Sequence, residues 1–428
     1  MFYLAFSKLN LWFLILPALF LLSSLRSLRG WLLIGFLSFF SSLFWIRIAM
    51  VDYGGVFPPV AYSLIALLSL VLALYQFGLT YLLWRFLRHN LLLLPFLWVG
   101  SEILRSLFPY GGFPWLLVGE NLVDFPLLKY YLSAGGVYLG SLTLWFLALL
   151  PRLMGDRRKM GTALLILMLP LPFTDTARRA VPPLKIAVVQ PAVPEEVKLK
   201  EEEFYAYLPR YWEVMDQVLK EKPEVVFLPE SAFPFTANYL YSEGGKLLDY
   251  SEKAVVVTGL VDVRFEGGKA KPYNSVFVIH RRRVVDFYDK VRLLPFGEFV
   301  PFPFEFTKDL FGAIGGVDYV PGDGVRCVRV RDLNLATPVC FEVSYFHLVR
   351  EMARCADLIA VLTNDAWFRD SDGTYQHMRH ARIRAVENRM FVIWVNNTGP
   401  SALITPEGRI LKEIPYGKVG FFVHSFQE

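Results

Sequence analysis

Cysteine, histidine and charge are all scarce in this sequence. Its 428 residues include three cysteines, Cys327, Cys340 and Cys355, and none has CxxC spacing. Three cysteines are too few for a disulfide framework, and because their number is odd we expect at least one free thiol. Their spacing does not favour a metal site with thiolate ligands. His377 and His380 lie three residues apart without acidic partners facing them, so no metal or cofactor is predicted. The net charge of +5 is too small to indicate a nucleic-acid partner.

Apolar residues, in contrast, are in excess. They form 54% of the chain, and the mean hydropathy is +0.40. The excess lies in the N-terminal part, where six apolar runs are candidates to cross a bilayer, although the sixth is rather short. These runs are Leu9–Leu25, Trp31–Ala49, Val60–Leu83, Leu91–Phe108, Leu127–Leu150 and Met160–Phe173. A signal peptide is not favoured for the first run, because its arginines follow it instead of preceding it.

The loops between the runs differ in charge, and this difference predicts an orientation. Loops after the first, third and fifth runs are basic and contain Arg26, Arg29, Arg85, Arg88, Arg152, Arg157, Arg158 and Lys159. Loops after the second and fourth runs, residues 50–59 and 109–126, contain acidic residues and no lysine or arginine. Since basic loops stay in the cytoplasm, we expect the N-terminus and the C-terminal half to lie outside.

One ionisable pair falls inside an apolar run. Glu102 and Arg105 are three residues apart, so they share a helix face and can pair. An ionisable pair at such a position is either functional or a structural pair near the end of the run. The sequence leaves both interpretations open.

The composition changes near Ala180-Val181-Pro182-Pro183, and an ordinary globular pattern follows. We therefore predict a transmembrane helical domain at 1–176, a linker at 177–183 and a catalytic domain at 184–428. In the last of these, short apolar runs alternate with amphipathic segments, which is typical of an α/β layer architecture.

Three strand ends of this domain carry reactive side chains: Glu230, Lys290 and Cys340. Each is unremarkable alone, because a strand-end acid or lysine is usually solvated and a buried cysteine usually packs as a small hydrophobe. Ligand crevices in α/β sheets lie at strand carboxyl ends, so a carboxylate, an ammonium and a thiol there could share one pocket. Together they predict a catalytic site.

Several motifs make the chain resemble a known family. They are Leu228-Pro229-Glu230-Ser231-Ala232, Tyr288-Asp289-Lys290, the run from Leu294 to Pro301, Cys340-Phe341-Glu342, Thr363 to Phe368, Gln376-His377, Asn396 to Gly399 and, in the apolar half, Gly112 to Leu116. The C-terminal half is similar to the nitrilase (carbon–nitrogen hydrolase) superfamily, and the whole chain resembles the apolipoprotein N-acyltransferases. The family commonly has eight spans against about six here, and Phe341 and Leu199 stand where it often has Tyr and Trp.

The resemblance implies a fold and a site. The fold is a polytopic helical membrane domain followed by an αββα nitrilase-like sandwich. The catalytic residues are Glu230 as base, Lys290 as oxyanion stabiliser that also lowers the thiol pKa, and Cys340 as nucleophile. We expect Glu298 to orient Lys290 or the base, Glu342 to shape the pocket, and Phe341, Asn364 and Trp367 to lie near it. Glu298 and Glu342 could also be purely structural acids.

The resemblance also implies a reaction. A fatty acyl chain passes from a phospholipid to the Cys340 thiol and then to the α-amine of the diacylglyceryl-cysteine of an apolipoprotein. The partners are thus a phospholipid donor and a lipoprotein acceptor. The location is the bacterial inner membrane, in several passes, with the catalytic domain on the periplasmic face.

Two aromatic stretches could exclude water from such a site. One contains Leu293, Leu294, Phe296, Phe299, Phe302, Phe304, Phe306 and Phe311, and the other Phe233, Phe235, Tyr239, Leu240 and Tyr241. We interpret them as lids that dip into the outer leaflet, while core packing of the phenylalanines remains the alternative.

Two other functions compete with acyl transfer. A membrane-anchored nitrilase-type amidase would need water at the thioester and a polar pocket, which fits poorly with phenylalanine-rich loops. A transporter or scaffold with an inactive nitrilase domain is disfavoured by the intact Glu230, Lys290 and Cys340.

Overall fold

A computed structural model of the protein describes residues 1–307 and 318–427. The chain divides into two compact units. The first consists of residues 1–52, 56–177 and 371–389, and the second of residues 53–55, 178–370 and 390–428. The second unit contains every strand of the described chain.

The first unit is helical. Its helices are α1 (Phe2–Phe6), α2 (Ile15–Ser24), α3 (Leu28–Leu43), α4 (Pro58–Ala73), α5 (Leu79–Phe86), α6 (Leu94–Leu107), α7 (Tyr131–Leu153) and α8 (Arg157–Met168). A π-helical segment, Leu74–Gly78, joins α4 to α5 in one continuous helix of 29 residues. A helix therefore forms within each of the six predicted apolar runs.

Two of these helices are long and apolar enough to cross a membrane. They are Pro58–Phe86 and Leu128–Leu153. The apolar helices Trp12–Ser24 and Leu28–Leu43 are shorter, and α6 and α8 have 14 and 12 residues. Because about 20 residues are needed to cross the hydrocarbon core, the helix lengths support two spans.

Glu102 and Arg105, the charged pair on α6, form hydrogen bonds with the backbone of the loop at residues 113–118. The Arg105 guanidinium donates hydrogen bonds to the carbonyls of Phe113, Trp115 and Leu116 at 2.8–3.1 Å. Glu102 accepts one from the backbone amide of Val118 at 2.8 Å. Both side chains are buried, so their contacts match the structural interpretation of this pair.

The second unit contains two six-stranded sheets. The strands are β1 (Leu184–Gln190), β2 (Val225–Phe227), β3 (Val255–Glu266), β4 (Lys269–His280), β5 (Arg283–Asp289), β6 (Val328–Val330), β7 (Leu333–Ala336), β8 (Leu358–Thr363), β9 (Val392–Asn396), β10 (Ser401–Ile404), β11 (Ile410–Ile414) and β12 (Gly420–Phe426). The order is β12-β1-β2-β3-β4-β5 in one sheet and β11-β10-β9-β8-β7-β6 in the other. In each sheet the three strands β1–β3 or β7–β9 run parallel, and the others pair antiparallel.

The sheets form the middle of an α/β sandwich, as predicted. They contact each other through β1 and β9 and through β5 and β6. Within residues 178–307 and 318–370 the structure has five α-helices of this unit: α9 (Glu195–Lys198), α10 (Glu201–Lys220), α11 (Leu240–Glu243), α12 (Gly245–Lys253) and α13 (Phe346–Ala353). Apolar side chains of α10 and α12 form one core with β1–β4. All residues of β8 and β9 are buried, as expected for parallel strands covered on both faces.

Helix α14 (Asp372–Asn388) belongs to the helical unit, although it lies between β8 and β9 in sequence. Its buried side chains are largely polar. The amide oxygen of Gln376 accepts hydrogen bonds from the indoles of Trp45 and Trp115 at 3.1 and 2.8 Å. Arg379 donates to the carbonyl of Ala5 at 3.0 Å. Residues of the N-terminal half therefore form hydrogen bonds with buried polar side chains of α14, a helix from the C-terminal half of the sequence.

Candidate active site

The carboxylate of Glu230 is set at the carboxyl end of β2 by a tight loop. Ser231, the next residue, has a φ of +46°, and Glu230 itself is 8% exposed. The amide of Gly259 on β3 donates to the carbonyl of Pro229 at 3.1 Å. A side chain at position 259 would bring its Cβ within 2.6 Å of the Glu230 Cα, so this close approach requires glycine.

Lys290 follows β5, and its backbone amide and carbonyl each form a hydrogen bond. Its amide donates to the carbonyl of Asn274, and its carbonyl accepts from the amide of Gly322, both at 2.8 Å. The Nζ lies 2.9 and 2.8 Å from the two carboxylate oxygens of Glu298, and the side chain is 1% exposed. The expected contact between Glu298 and Lys290 is therefore present.

The negative groups around Lys290 keep it protonated. Burial alone would lower its pKa, but the negative charges of Glu298, Glu230 and Glu342, and of Cys340 when it is a thiolate, outweigh burial and raise the pKa of Lys290 above its ordinary value. The same interactions place these five predicted site residues within one electrostatic neighbourhood. Lys290 can therefore serve as a fixed cation at neutral pH.

Cys340 stands where the chain leaves β7. It begins a 3₁₀ turn, Cys340–Ser344, and has a φ of +50°, a conformation unusual for a residue with a side chain. It is the free cysteine, and it is partly exposed. Cys327 and Cys355 form a disulfide. The turn therefore places a free thiol beside the charged groups.

The thiol pKa differs from the expectation. Burial raises the pKa of Cys340 well above its ordinary value, and the charge of Glu230 raises it further. Lys290 lowers it, as expected, but does not outweigh burial. The resting sulfur is therefore a thiol, and a base must remove its proton before it can attack.

Asn274 on β4 connects the two carboxylates, and sequence reasoning missed it. Its Nδ2 donates to Glu230 Oε1 at 2.7 Å and to Glu298 Oε1 at 3.1 Å. Since Glu298 also holds Lys290, the amide aligns the base with the cation. The only sequence signal is a polar pair, Asn274-Ser275, directly before the apolar run Val276–Ile279.

Glu342 ties two loops together. One of its oxygens accepts from the amides of Val291 and Arg292 at 2.8 and 2.9 Å, and the other from the amide of Val339 at 2.8 Å. The hydroxyl of Tyr288 donates to the same carboxylate at 3.0 Å. Glu342 thus fixes the chain after Lys290 against the turn that carries Cys340.

The other predicted pocket residues have varied positions. Phe341 is buried, and its ring packs edge-on against Tyr345. Asn364 donates to Glu195 at 2.9 Å. Burial raises the pKa of that carboxyl, and the charge of Glu230 raises it further. Trp367 is partly exposed and packs edge-on against Tyr53. Asn364 is therefore one contact away from the base, while the contact of Trp367 is with Tyr53.

The two aromatic stretches differ. Phe233 and Phe235 stack at 5.3 Å and are buried in the core beside α10, so their prediction as lid residues is wrong. Tyr239 and Tyr241 are exposed, as is Phe302 at 77%. Phe311 and the side chain of Phe306 lie outside the described residues.

A buried base, a fixed cation and a free thiol are the parts of a covalent acyl-transfer site. The thiol can attack a carbonyl once the carboxylate has taken its proton, and the ammonium can neutralise the resulting oxyanion. Within residues 1–307 and 318–427 no group of His, Cys, Asp and Glu side chains has metal-site geometry.

Two family models match the chain. Residues 1–150 match the apolipoprotein N-acyltransferase N-terminal domain, and residues 185–425 match the carbon–nitrogen hydrolase family. Among solved structures, the fold resembles Nit3 of Saccharomyces cerevisiae, a nitrilase superfamily member, with 18% identity and a TM-score of 0.43. That alignment covers 59% of this chain and 93% of the other.

Similar proteins cover the whole chain. The apolipoprotein N-acyltransferase of Aquifex aeolicus is 46% identical over 428 residues, which is 100% of this chain and 96% of that protein. The enzyme of the same name from Pseudomonas paraeruginosa is 30% identical over 421 residues, covering 92% of this chain and 80% of the relative. On these similarities the chain belongs to the apolipoprotein N-acyltransferase family.

Proposed function

We propose that the protein transfers a fatty acyl chain from a phospholipid to the N-terminal α-amine of an apolipoprotein, through a thioester on Cys340. The observation that carries this proposal is the convergence of Glu230, Lys290 and Cys340 around Asn274 and Glu298 in a chain of this family. Phe341, Glu342, Asn364 and Trp367 act as supporting residues.

The first half-reaction forms the thioester. Glu230 takes the proton of the Cys340 thiol, and the sulfur attacks an ester carbonyl of the phospholipid. Lys290 stabilises the oxyanion of the tetrahedral intermediate. The carbon–oxygen ester bond then breaks, and the leaving glycerol oxygen takes the proton back from Glu230. The products are an acyl-thioester and a lysophospholipid.

The second half-reaction releases the acyl chain. The α-amine of a diacylglyceryl-cysteine attacks the thioester carbonyl and gives a proton to Glu230. The carbon–sulfur bond breaks, and the Cys340 thiolate recovers that proton. An amide forms on the acceptor, and the enzyme returns to its starting state without any cofactor.

Mass spectrometry of the purified full-length protein after incubation with phospholipid tests this reaction. We expect the mass of one fatty acyl group on Cys340, its loss on addition of a diacylglyceryl-cysteine peptide, and N-acylated peptide in equal amount. Cys340→Ser should give neither product. Rapid release of free fatty acid without a thioester, or hydrolysis of a small amide, would favour the amidase alternative.

We also propose the membrane arrangement. The domain boundaries are 1–176, 177–183 and 184–428, with about six spans in the first domain and the catalytic domain on the periplasmic face of the inner membrane. The distribution of basic loops supports this orientation, and the two long apolar helices support membrane embedding.

A further inference from the structure

The strand that leads into Lys290 lies at the edge of its sheet. In the order β12-β1-β2-β3-β4-β5, β5 is outermost and pairs with β4 alone. This pairing also shifts register between Val278 and Ile279. An edge strand lacks a second ladder of backbone hydrogen bonds, so its end is prone to fray. The position of Lys290 therefore depends on side-chain contacts that hold the end of β5.

An arginine on β3 makes such contacts. Both terminal nitrogens of Arg264 donate to the carboxylate of Asp289, the last residue of β5, at 2.8 and 2.9 Å. Its Nε donates to Asp262 on β3 at 2.8 Å. The guanidinium lies over the ring of Tyr273 on β4, 4.2 Å from the ring centroid. The Arg264–Asp289 pair therefore reaches across β4 and joins two strands that are not neighbours in the sheet.

Asp289 is also held from β4. Ser275 stands directly opposite Asp289 in the β4–β5 ladder, is fully buried, and donates to Asp289 Oδ1 at 2.6 Å. The Asp289 carboxylate thus accepts three hydrogen bonds from side chains of two other strands. Because a bidentate guanidinium–carboxylate pair fixes direction as well as distance, this arrangement holds the end of β5 in one register.

The pair lies on the opposite face of the sheet from the catalytic groups. Successive side chains of a strand point to opposite faces, so Ser275 and Asp289 face away from their chain neighbours Asn274 and Lys290. The contacts agree, because Asn274 and Lys290 both bind Glu298. The amide of Lys290 donates to the carbonyl of Asn274 at 2.8 Å. A shift of the end of β5 would therefore move Lys290 relative to Asn274.

We propose that the Arg264–Asp289 pair positions Lys290 by fixing the end of β5 from the reverse face of the sheet. Arg264, Asp289 and Ser275 are then positioning residues for acyl transfer, and their effect passes through the backbone of β4 and β5. The inference deepens the proposed function and rests on the role given there to Lys290 as the group that stabilises the oxyanion.

This role predicts an effect on Cys340 that simple loosening of the domain does not. Lys290 lowers the pKa of the Cys340 thiol, whereas burial raises it. If Arg264→Gln displaces Lys290 while Cys340 stays buried, the thiol pKa rises and less thiolate is present at a given pH. If the substitution only loosened the domain, burial would be relieved, and the thiolate would become easier to form. The two explanations therefore predict opposite signs.

The test is the rate of Cys340 alkylation by iodoacetamide in the full-length protein in detergent, at a pH below the midpoint of the thiol titration. Mass spectrometry of the Cys340 peptide gives the rate, and Cys327 and Cys355 do not react while their disulfide is intact. We expect Arg264→Gln to react roughly tenfold more slowly than the wild type, as for the loss of one nearby opposite charge. Asp289→Asn, a second and nearly isosteric variant, should also react more slowly.

A double variant tests whether Arg264 acts through Lys290. Lys290→Gln gives the largest decrease that loss of this ammonium can produce. Arg264→Gln/Lys290→Gln should be alkylated at the rate of Lys290→Gln alone, because a positioning residue has no effect once the group that it positions is absent. A further decrease in the double variant would overturn the inference.

Lys271→Gln is the matched control. Lys271 stands opposite Arg264 in the β3–β4 ladder and pairs with Glu266, so the substitution removes the same charge from the same part of the sheet and leaves Asp289 in place. It should be alkylated at the wild-type rate. Equal slowing in Lys271→Gln, or wild-type or faster alkylation in both Arg264→Gln and Asp289→Asn, would overturn the inference.

The acylation rate separates this inference from the proposed function. In single-turnover acylation by phospholipid, Arg264→Gln should be slower on the order of 10- to 100-fold, because a misplaced catalytic group loses much of its contribution. Alkylation requires no phospholipid. The expected alkylation rates in a protein that forms no acyl-thioester would therefore reject the proposed function and support the positioning of Lys290. Normal acylation with unchanged alkylation in Arg264→Gln would do the reverse.

Discussion

At the scale of single residues, the site depends on the side-chain amide of Asn274, which donates hydrogen bonds to two carboxylates. Asn274 is 4% exposed and donates to the carboxylates of both Glu230 and Glu298. Two carboxylates near one another repel, and an amide donor between them offsets part of that repulsion. Glu298 is also held by Lys290, whereas Glu230 has Asn274 as its side-chain donor within the described residues. Asn274 is therefore expected to fix the general base.

Replacing this amide should slow the acylation of Cys340. In Asn274→Ala the backbone carbonyl that holds Lys290 remains, but Glu230 loses its donor and its fixed direction. We expect the single-turnover rate of acylation by phospholipid to fall on the order of 10- to 100-fold, because a misplaced base loses much of its contribution. The rate is measured by mass spectrometry of the Cys340 acyl adduct.

Asn238→Ala provides the control for this substitution. Asn238 is exposed and makes three hydrogen bonds, two with the backbone of Val263 and one with the hydroxyl of Thr236. In the Asn238→Ala variant, Cys340 should be acylated at the wild-type rate. An unchanged rate in Asn274→Ala would show that Glu230 is oriented by other groups.

The residues that the sequence could predict stand at strand ends. Glu230, Lys290 and Cys340 follow apolar runs, and a reactive side chain at such a place is noticeable in sequence alone. Asn274 is a polar residue whose partners, Glu230 and Glu298, come from other segments of the chain, so its importance depends on tertiary pairing. The raised thiol pKa could not be predicted either, because it follows from burial.

At the scale of elements, the nucleophile lies within a segment that a disulfide closes. Cys327 immediately precedes β6, and Cys355 follows α13 at a sequence separation of 28. The enclosed segment contains β6, β7, the Cys340 turn and α13. A crosslink at its two ends reduces the conformational freedom of this segment in the unfolded chain.

Removing the crosslink should lower the melting temperature. A loop of this length corresponds to about 3–4 kcal/mol in the chain-entropy model, or roughly 10 °C for a domain of this size. Calorimetry of Cys327→Ser/Cys355→Ser should show that decrease, and reductant should lower the wild type to the same value. Cys340→Ser, which leaves the disulfide intact, should melt within about 2 °C of the wild type. A decrease below about 2 °C in the double variant would exclude this stabilisation.

Helices and strands can be predicted where the pattern of apolar residues within the segment itself determines them. The strands around Glu230 and Cys340 were found from their apolar runs. The 12-residue strands β3 and β4 extend well beyond the predicted runs, because their distal halves are polar and pair only with each other. The sequence pattern predicts a helix from Gln376 to Arg389, close to α14, but not that this helix belongs to the helical unit, since its partners Trp45 and Trp115 are more than 200 residues away.

At the scale of the whole molecule, two independent features bear on the side of the membrane that the catalytic domain occupies. The basic loops of the helical half predict that this domain lies outside. The disulfide between Cys327 and Cys355 belongs to the α/β unit and is typical of an oxidising compartment. The basic loops concern insertion of the chain into the membrane, and the disulfide concerns its redox environment. Both are consistent with a catalytic domain outside the cytoplasm.

Single added cysteines can test this orientation in a Cys340→Ser background, where the remaining native cysteines form the disulfide. Asp332 is exposed in the turn between β6 and β7, and Arg158 is exposed in the basic first turn of α8. With a membrane-impermeant maleimide on intact cells, Asp332→Cys should be labelled and Arg158→Cys should be labelled only after lysis. Because opposite faces are predicted for the two positions, each is the control for the other. Labelling of Arg158→Cys but not Asp332→Cys in intact cells would place the thiol of Cys340 in the cytoplasm and remove the compartmental explanation of the disulfide.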